Sequence, residues 1–209
     1  MMKKQSHIQN QVAKYYDGKI KQFGTTSKGV DWNGEESQIL RFKQVLKIVE
    51  VNNGSLIDIG CGYGAMFTFM KNNGLDLVKY LGIDISESML LEAEKLNGKN
   101  NNFNVSKDLD AIEAQEYVVA SGLFNVKQEV SDEDWKQYCL DLLLKFDKHS
   151  TKGFSFNMLT SYSDKEFMRS YLHYADPLFF FDYCKRNFSK NVTLVHDYDL
   201  YEFTILVRK

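Results

Sequence analysis

The run Asp58-Ile59-Gly60-Cys61-Gly62-Tyr63-Gly64 constrains this chain more than any other, because the apolar strand Ser55-Leu56-Ile57 runs into an acid and then into glycines at alternate positions. Glycine accepts positive φ and has no Cβ, so a ligand bearing a nucleoside can lie against main-chain N–H groups where the next helix begins. A second apolar run, Val78-Lys79-Tyr80-Leu81-Gly82-Ile83, closes on Asp84, 24 positions after Gly60. That is near the roughly 20 residues expected between a glycine loop and a ribose-binding acid at the end of the following strand.

The spacing is acid-x-Gly-x-Gly-x-Gly and not the Gly-x-Gly-x-x-Gly of the dinucleotide fingerprint. With LIDIGCGYG and YLGIDIS together, the chain resembles the class I S-adenosylmethionine-dependent methyltransferases. The resemblance implies a Rossmann-like three-layer sandwich with a seven-stranded, mostly parallel sheet, an antiparallel last strand and an N-terminal helical lid. It also implies S-adenosyl-L-methionine as cofactor, S-adenosyl-L-homocysteine as product, and no metal. On this resemblance Asp58 anchors the loop and helps to hold the cofactor's ammonium group, with Gly60 and Gly62 beside it. A strand-end acid could instead serve only to orient the loop. Asp84, followed by Ile85, takes the ribose hydroxyls. Asp108 and the Leu109 N–H read the adenine, with Asp110 as competitor for the acid's part. Ser121 and Gly122 lie where strand four meets the methyl group.

Length and composition agree with an intracellular globular enzyme. The 209 residues fit one domain, 1–209, with 44% hydrophobic and 14% aromatic residues, and they can bury a real core. A net charge of −2 gives no bulk attraction to polyanions, which weighs against nucleic acid as acceptor while leaving room for a local basic patch, and the resemblance implies a small-molecule acceptor. Cys61, Cys139 and Cys184 form neither a disulfide framework nor a zinc-ligand spacing. The start lacks an apolar leader and no stretch reaches the roughly 20 apolar residues of a membrane span, so a cytoplasmic protein with no membrane partner is expected.

Apolar periodicity predicts a helix over 6–22 and a second, marked by Ile39, Phe42, Leu46 and Val49 and running to about Val51, capped by Asn33 or Asp31. Alternating strands and helices follow: strands at 55–59, 78–83, 102–105, 116–120 and 153–159, helices at 64–73, 87–97 and 132–148. Ser131-x-x-Asp134 opens the last of these helices as a capping box variant. Helical stretches at about 163–175 and 177–188, the second begun by Asp176 and Pro177, form an insertion over 161–190 near the acceptor site. Strands 192–195 and 203–207 close the chain as a hairpin.

The segment 1–51 is expected to form the lid, with Tyr16 and Trp32 over the cofactor and Arg41 on its carboxylate. Phe124, Asn157, Tyr174, His196 and Tyr198 are the expected acceptor contacts, and His196 is the expected general base for a hydroxyl acceptor. An oxygen that is already anionic would need no base. The phrases KGVDWNGEESQ, ASGLFNVK, GFSFNMLTSYSD and HDYDLYEFTILVRK resemble a bacterial small-molecule subgroup associated with surface-carbohydrate or secondary pathways. ASGLFN stands where amino-methylating nucleic-acid enzymes carry Asn/Asp-Pro-Pro-Tyr. A dinucleotide oxidoreductase and a non-catalytic cofactor-binding module are the rival readings.

Overall fold

The computed structural model describes residues 2–32, 34–50, 54–75, 77 and 79–209. Seven strands form one sheet: β1 (Ser55–Ile59), β2 (Lys79–Ile83), β3 (Phe103–Ser106), β4 (Gln115–Ala120), β5 (Ser150–Leu159), β6 (Asn191–Val195) and β7 (Glu202–Arg208). Their spatial order is β3-β2-β1-β4-β5-β7-β6, and β7 runs antiparallel to both neighbours while the remaining pairings are parallel. The carboxyl ends of β1, β2 and β4 therefore meet at one edge of the sheet, where open α/β folds bind ligands.

Central strands are apolar without alternation because both faces are covered. Ile57, Leu81, Val118, Phe154, Phe156 and Ile205 pack toward helices α5 (Asp132–His149) and α6 (Pro177–Asn187). Leu56, Tyr80, Tyr117 and Leu206 pack toward α2 (Glu35–Val45) and α3 (Ala65–Asn72). Helix α4 (Glu87–Asn97) completes that layer through Ala93. Caps form where the sequence places them: Ser86 Oγ accepts from Met89 N–H, Ser131 Oγ from Asp134 N–H, and Asp176 from Leu178 N–H ahead of Pro177.

The first helix, α1 (Met2–Phe23), has 22 residues and so spans about 33 Å. Ile8 and Val12 join the core on the α5 side, whereas Ile20 packs with Tyr63 and Met89 on the α4 side. The helix thus crosses over the carboxyl edge of the sheet.

Three elements differ from expectation. The 163–175 stretch contains only a short 3-10 turn, Lys165–Phe167, because its backbone pairs elsewhere: Val126 bridges Leu172 and Thr160 bridges Ala175. Helix α2 starts after Gly34 with no side-chain cap, since Asp31 sits in a left-handed turn (φ 62°) and accepts from Tyr15 and Lys19 of α1. It is followed by a 3-10 turn, Leu46–Ile48. The expected cap Asn33, the helix end at Val51 and the strand start at Val78 lie outside the described residues.

Candidate active site

A cavity of about 370 Å³ opens at the carboxyl ends of β1, β2 and β4. Its floor is the glycine loop. Gly60, Gly62 and Gly64 have φ of 77°, 54° and 79°, conformations that side-chain-bearing residues rarely adopt. The N–H groups of Gly60 and Cys61 both donate to Ile83 O, and the Gly62 N–H donates to Asp84 Oδ2 at 2.9 Å, so the loop is laced to the end of β2. A Cβ on Gly60 would come within 3.0 Å of Leu123, and one on Gly62 within 3.0 Å of Val30.

Two acids face this floor. Asp58, 2% exposed on β1, accepts from the Tyr80 hydroxyl. Burial pushes its carboxyl up to about 7, against the opposing pull of that hydrogen bond, and the charge of Asp84 adds to the rise. Asp84 also accepts from Ser86 N–H at 2.8 Å, and burial raises it to about 6. A carboxylate oxygen has two lone pairs, so both acids keep acceptor capacity. At the far end Asp110 is held by Lys145 at 2.7 Å and lies below its ordinary range, chiefly through that hydrogen bond. Asp108 accepts from Asp110 N–H at 2.9 Å. Residues from α5, Trp135, Tyr138 and Leu142, supply an apolar wall.

The other end is stoppered by Trp32. Gly122 has φ 77°, and a Cβ there would lie 2.2 Å from the indole Cη2 and Cζ2, so the ring occupies the space that glycine leaves. The indole also stacks with Arg41, whose guanidinium carbon is 3.9 Å from the ring centroid. Arg41 Nε and Nη2 both reach Glu202 Oε1 at 2.8 Å. Glu202 Oε2 accepts from Asn157 Nδ2 at 2.6 Å, and Asn157 Oδ1 accepts from Gly122 N–H at 2.7 Å. Polar contacts therefore run from Arg41 through β7 and β5 back to the glycine under the indole. The neighbouring Ser121 Oγ is buried without a hydrogen-bond partner among the described residues.

Of the residues expected around the cofactor, Tyr16, Trp32, Asp58, Gly60, Gly62, Asp84, Ile85, Asp108, Leu109, Ser121 and Gly122 line this one cavity. Arg41 does not; it lies behind Trp32, ion-paired to Glu202. The expected acceptor contacts are scattered. Phe124 is fully buried, edge-on to Phe156, with its carbonyl taken by Trp135 Nε1. Asn157 is fully buried with both ends of its amide engaged. Tyr198 is buried against Thr204 Oγ1, and the Tyr174 hydroxyl accepts from Arg169 N–H. His196 is exposed beside Tyr162, just past β6 at the edge of the sheet, three strands from β4. None of the four histidines lines the cavity. Sequence reasoning missed Glu202, which opens a strand where an acid reads as a turn residue. It also missed Gln38 and Tyr63, which line the cavity.

A family model described as a methyltransferase domain matches residues 57–143. A Mycobacterium tuberculosis (strain ATCC 25618 / H37Rv) protein, Rv1506c, whose name carries a provisional methyltransferase label, is 46% identical over 157 residues, covering 74% of this chain and 93% of its own. The chain belongs to the class I S-adenosylmethionine-dependent methyltransferases.

Solved structures agree on the fold of this methyltransferase. Haemonchus contortus phosphoethanolamine N-methyltransferase 1 superposes with a TM-score of 0.63 at 12% identity, over 96% of this chain and 49% of that one. The protein of a DhpI-SAM-HEP complex gives 0.60 at 12% identity, over 94% and 95%. The methyltransferase has no described helix long and apolar enough to cross a membrane, and no group of potential metal ligands among its described residues.

Proposed function

We propose that this methyltransferase transfers the methyl group of S-adenosylmethionine to an oxygen of a small-molecule acceptor, in a bacterial surface-carbohydrate or secondary pathway. The observation that carries the small-molecule reading is the roof: α1 lies across the cavity through Val12 and Tyr16, and Trp32 stands at its end beside Gly122. The relatives with substrate names differ among themselves; one is a phosphoethanolamine methyltransferase and another a small RNA methyltransferase. The acceptor is therefore argued from this chain's own residues.

The cavity fits the cofactor. The glycine loop leaves a cradle that Cβ atoms would fill, Ser121 offers a buried hydroxyl with no partner, and Asp58 is a buried carboxyl that a cation would stabilise. In this reading Asp58 faces the ammonium group, Asp84 the ribose hydroxyls, and Asp108 with Leu109 the adenine. Tyr16 and Ile85 pack on the nucleoside, and Ser121 and Gly122 border the methyl.

When bound, the cofactor supplies an electrophilic methyl on a sulfonium, and the protein's work is to align the acceptor and exclude water. With the cofactor held there, an acceptor oxygen aligned behind the methyl would take it as the carbon–sulfur bond broke, and Ser121 and Gly122 would border that position. With no histidine on the cavity, an oxygen that arrives as an anion suits this site better than a neutral hydroxyl that needs a base. Calorimetry with S-adenosylhomocysteine and NAD, followed by transfer of labelled methyl from S-adenosylmethionine to small acids, alcohols, RNA and protein, tests the reading. Binding of S-adenosylhomocysteine with label in small acids is expected. Label in RNA or protein alone would overturn it.

A further inference from the structure

We propose that Arg41 anchors a carboxylate carried by the methyl acceptor, and that this carboxylate reaches it when the Trp32 indole leaves Gly122. The proposal deepens the methyl-transfer reading above and rests on it.

Arg41 is 8% exposed, and its Nη1 is enclosed with no hydrogen-bond partner among the described residues. The other side of the fork is occupied, since Nε and Nη2 both donate to Glu202 Oε1. The second oxygen of Glu202, Oε2, accepts from Asn157, and Nη1 does not reach it. One arm of a buried guanidinium is thus left with donors and nothing to receive them, an arrangement that costs stability unless something is gained by it. Unused N–H donors on a planar cation match an oxyanion, and a carboxylate matches their geometry.

Position assigns that carboxylate to the acceptor and not to the cofactor. Asp58 and Gly60, which face the cofactor's amino-acid end, stand at β1. Arg41 is held by Glu202 of β7, three strands away in the order β1-β4-β5-β7, or roughly 14 Å at the usual strand spacing. Its guanidinium stacks on the indole whose rim fills the space beside Gly122. An acceptor replacing the indole would sit between the end of β4 and the guanidinium, with its reacting oxygen toward Ser121 and its carboxylate toward Nη1.

The indole is carried by a turn that is no part of the sheet. Trp32 N–H donates to Ser27 O, and the adjacent Asp31 is tied to Tyr15 and Lys19 of α1, so the turn is fastened to the lid helix. Stacking on Arg41 gives the ring a resting place, since a guanidinium over an aromatic face is favourable, and it screens the unused donors from water.

The test uses the full chain saturated with S-adenosylhomocysteine and titrated calorimetrically with formate, acetate, benzoate and, as neutral control, benzamide. Saturable binding of a carboxylate but not of benzamide is expected. Arg41→Lys, which keeps a cation beside Glu202 but removes the spare arm, should weaken that binding roughly tenfold or more. The double variant Arg41→Gln/Glu202→Gln, which avoids a stranded buried charge, should do the same. Absence of carboxylate binding in the wild type, or unchanged binding in both variants, overturns the proposal. The preference for S-adenosylhomocysteine over 5′-methylthioadenosine, which lacks the carboxylate, is measured alongside. Loss of that preference in Arg41→Lys would give the arm to the cofactor and also overturn the proposal. Failure of the wild type to bind S-adenosylhomocysteine would instead overturn the methyl-transfer reading itself.

Discussion

The main-chain N–H of Gly62 donates to Asp84 Oδ2 at 2.9 Å, tying the glycine loop after β1 to the acid that ends β2. One carboxylate thus shapes the loop and faces the cavity at once. Asp84→Ala is expected to weaken S-adenosylhomocysteine binding by about 2 kcal/mol, the middle of the range for hydrogen bonds to a charged group. Asp84→Asn, which can still accept from the Gly62 N–H, should recover the loop but only part of the affinity. An unchanged dissociation constant for Asp84→Ala, with the fold intact by circular dichroism, would remove Asp84 from the ribose site.

Gly60→Val and Gly62→Val should each abolish cofactor binding in a protein that still folds. Both positions hold positive φ, which costs a β-branched residue on the order of 1 to 3 kcal/mol, and the added atoms would press on Leu123 and Val30 respectively. The neighbours are side chains that can shift, so the larger effect falls on the ligand space. Thermal melts and calorimetry on the same samples separate the two effects, and normal affinity in either variant would refute the loop's part.

Binding should depend on pH through Asp58, raised to about 7, and Asp84, raised to about 6, both by burial. In the ligand-free protein a folded-state value above the unfolded one makes these acids hold protons more tightly when folded. Their contribution to stability is then fullest below the ordinary carboxylate range and declines as pH climbs toward 7. A ligand ammonium favours the ionised carboxylate and reverses the trend. The affinity for S-adenosylhomocysteine should therefore rise from about pH 5.5 and level off by about pH 8, and Asp58→Asn should flatten the rise. A flat wild-type profile would contradict an ammonium at Asp58.

That Asp58, the glycine loop and Asp84 line one cavity is legible in sequence because local rules bring them there. Asp58, the glycines and Asp84 stand at strand ends, where the chain's own turn geometry fixes what faces the ligand. The acceptor half was not legible, because it is assembled across distance. Asn157 carries the same polar signature as a ligand contact, yet β5 turns it toward Glu202 and Gly122. Phe124 follows the right strand but folds back under Phe156. The 163–175 stretch has helical apolar spacing, and tertiary pairing of its backbone with 126 and 160 overrides it. Arg41 reads from its type as a partner for the cofactor's carboxylate, but its side chain pairs with Glu202, 161 residues away in the chain, a contact no local pattern announces.

His196 supplies the last test. Its place after a strand and beside Asp197 marks it in sequence as an acceptor-side base, for which substitution would lower kcat by roughly 10² to 10⁴. In the structure its ring is exposed against Tyr162 and Phe203, at the sheet edge formed by β6, and it does not reach the cavity. A proton acceptor must come within hydrogen-bond reach of the group it serves, or within one water of it. His196→Ala is therefore expected to leave kcat within about twofold of wild type across neutral pH, since surface substitutions away from such contacts have small effects. A fall of a hundredfold, with S-adenosylmethionine affinity preserved, would show that the edge of the sheet closes onto the acceptor and would restore a hydroxyl that needs a base.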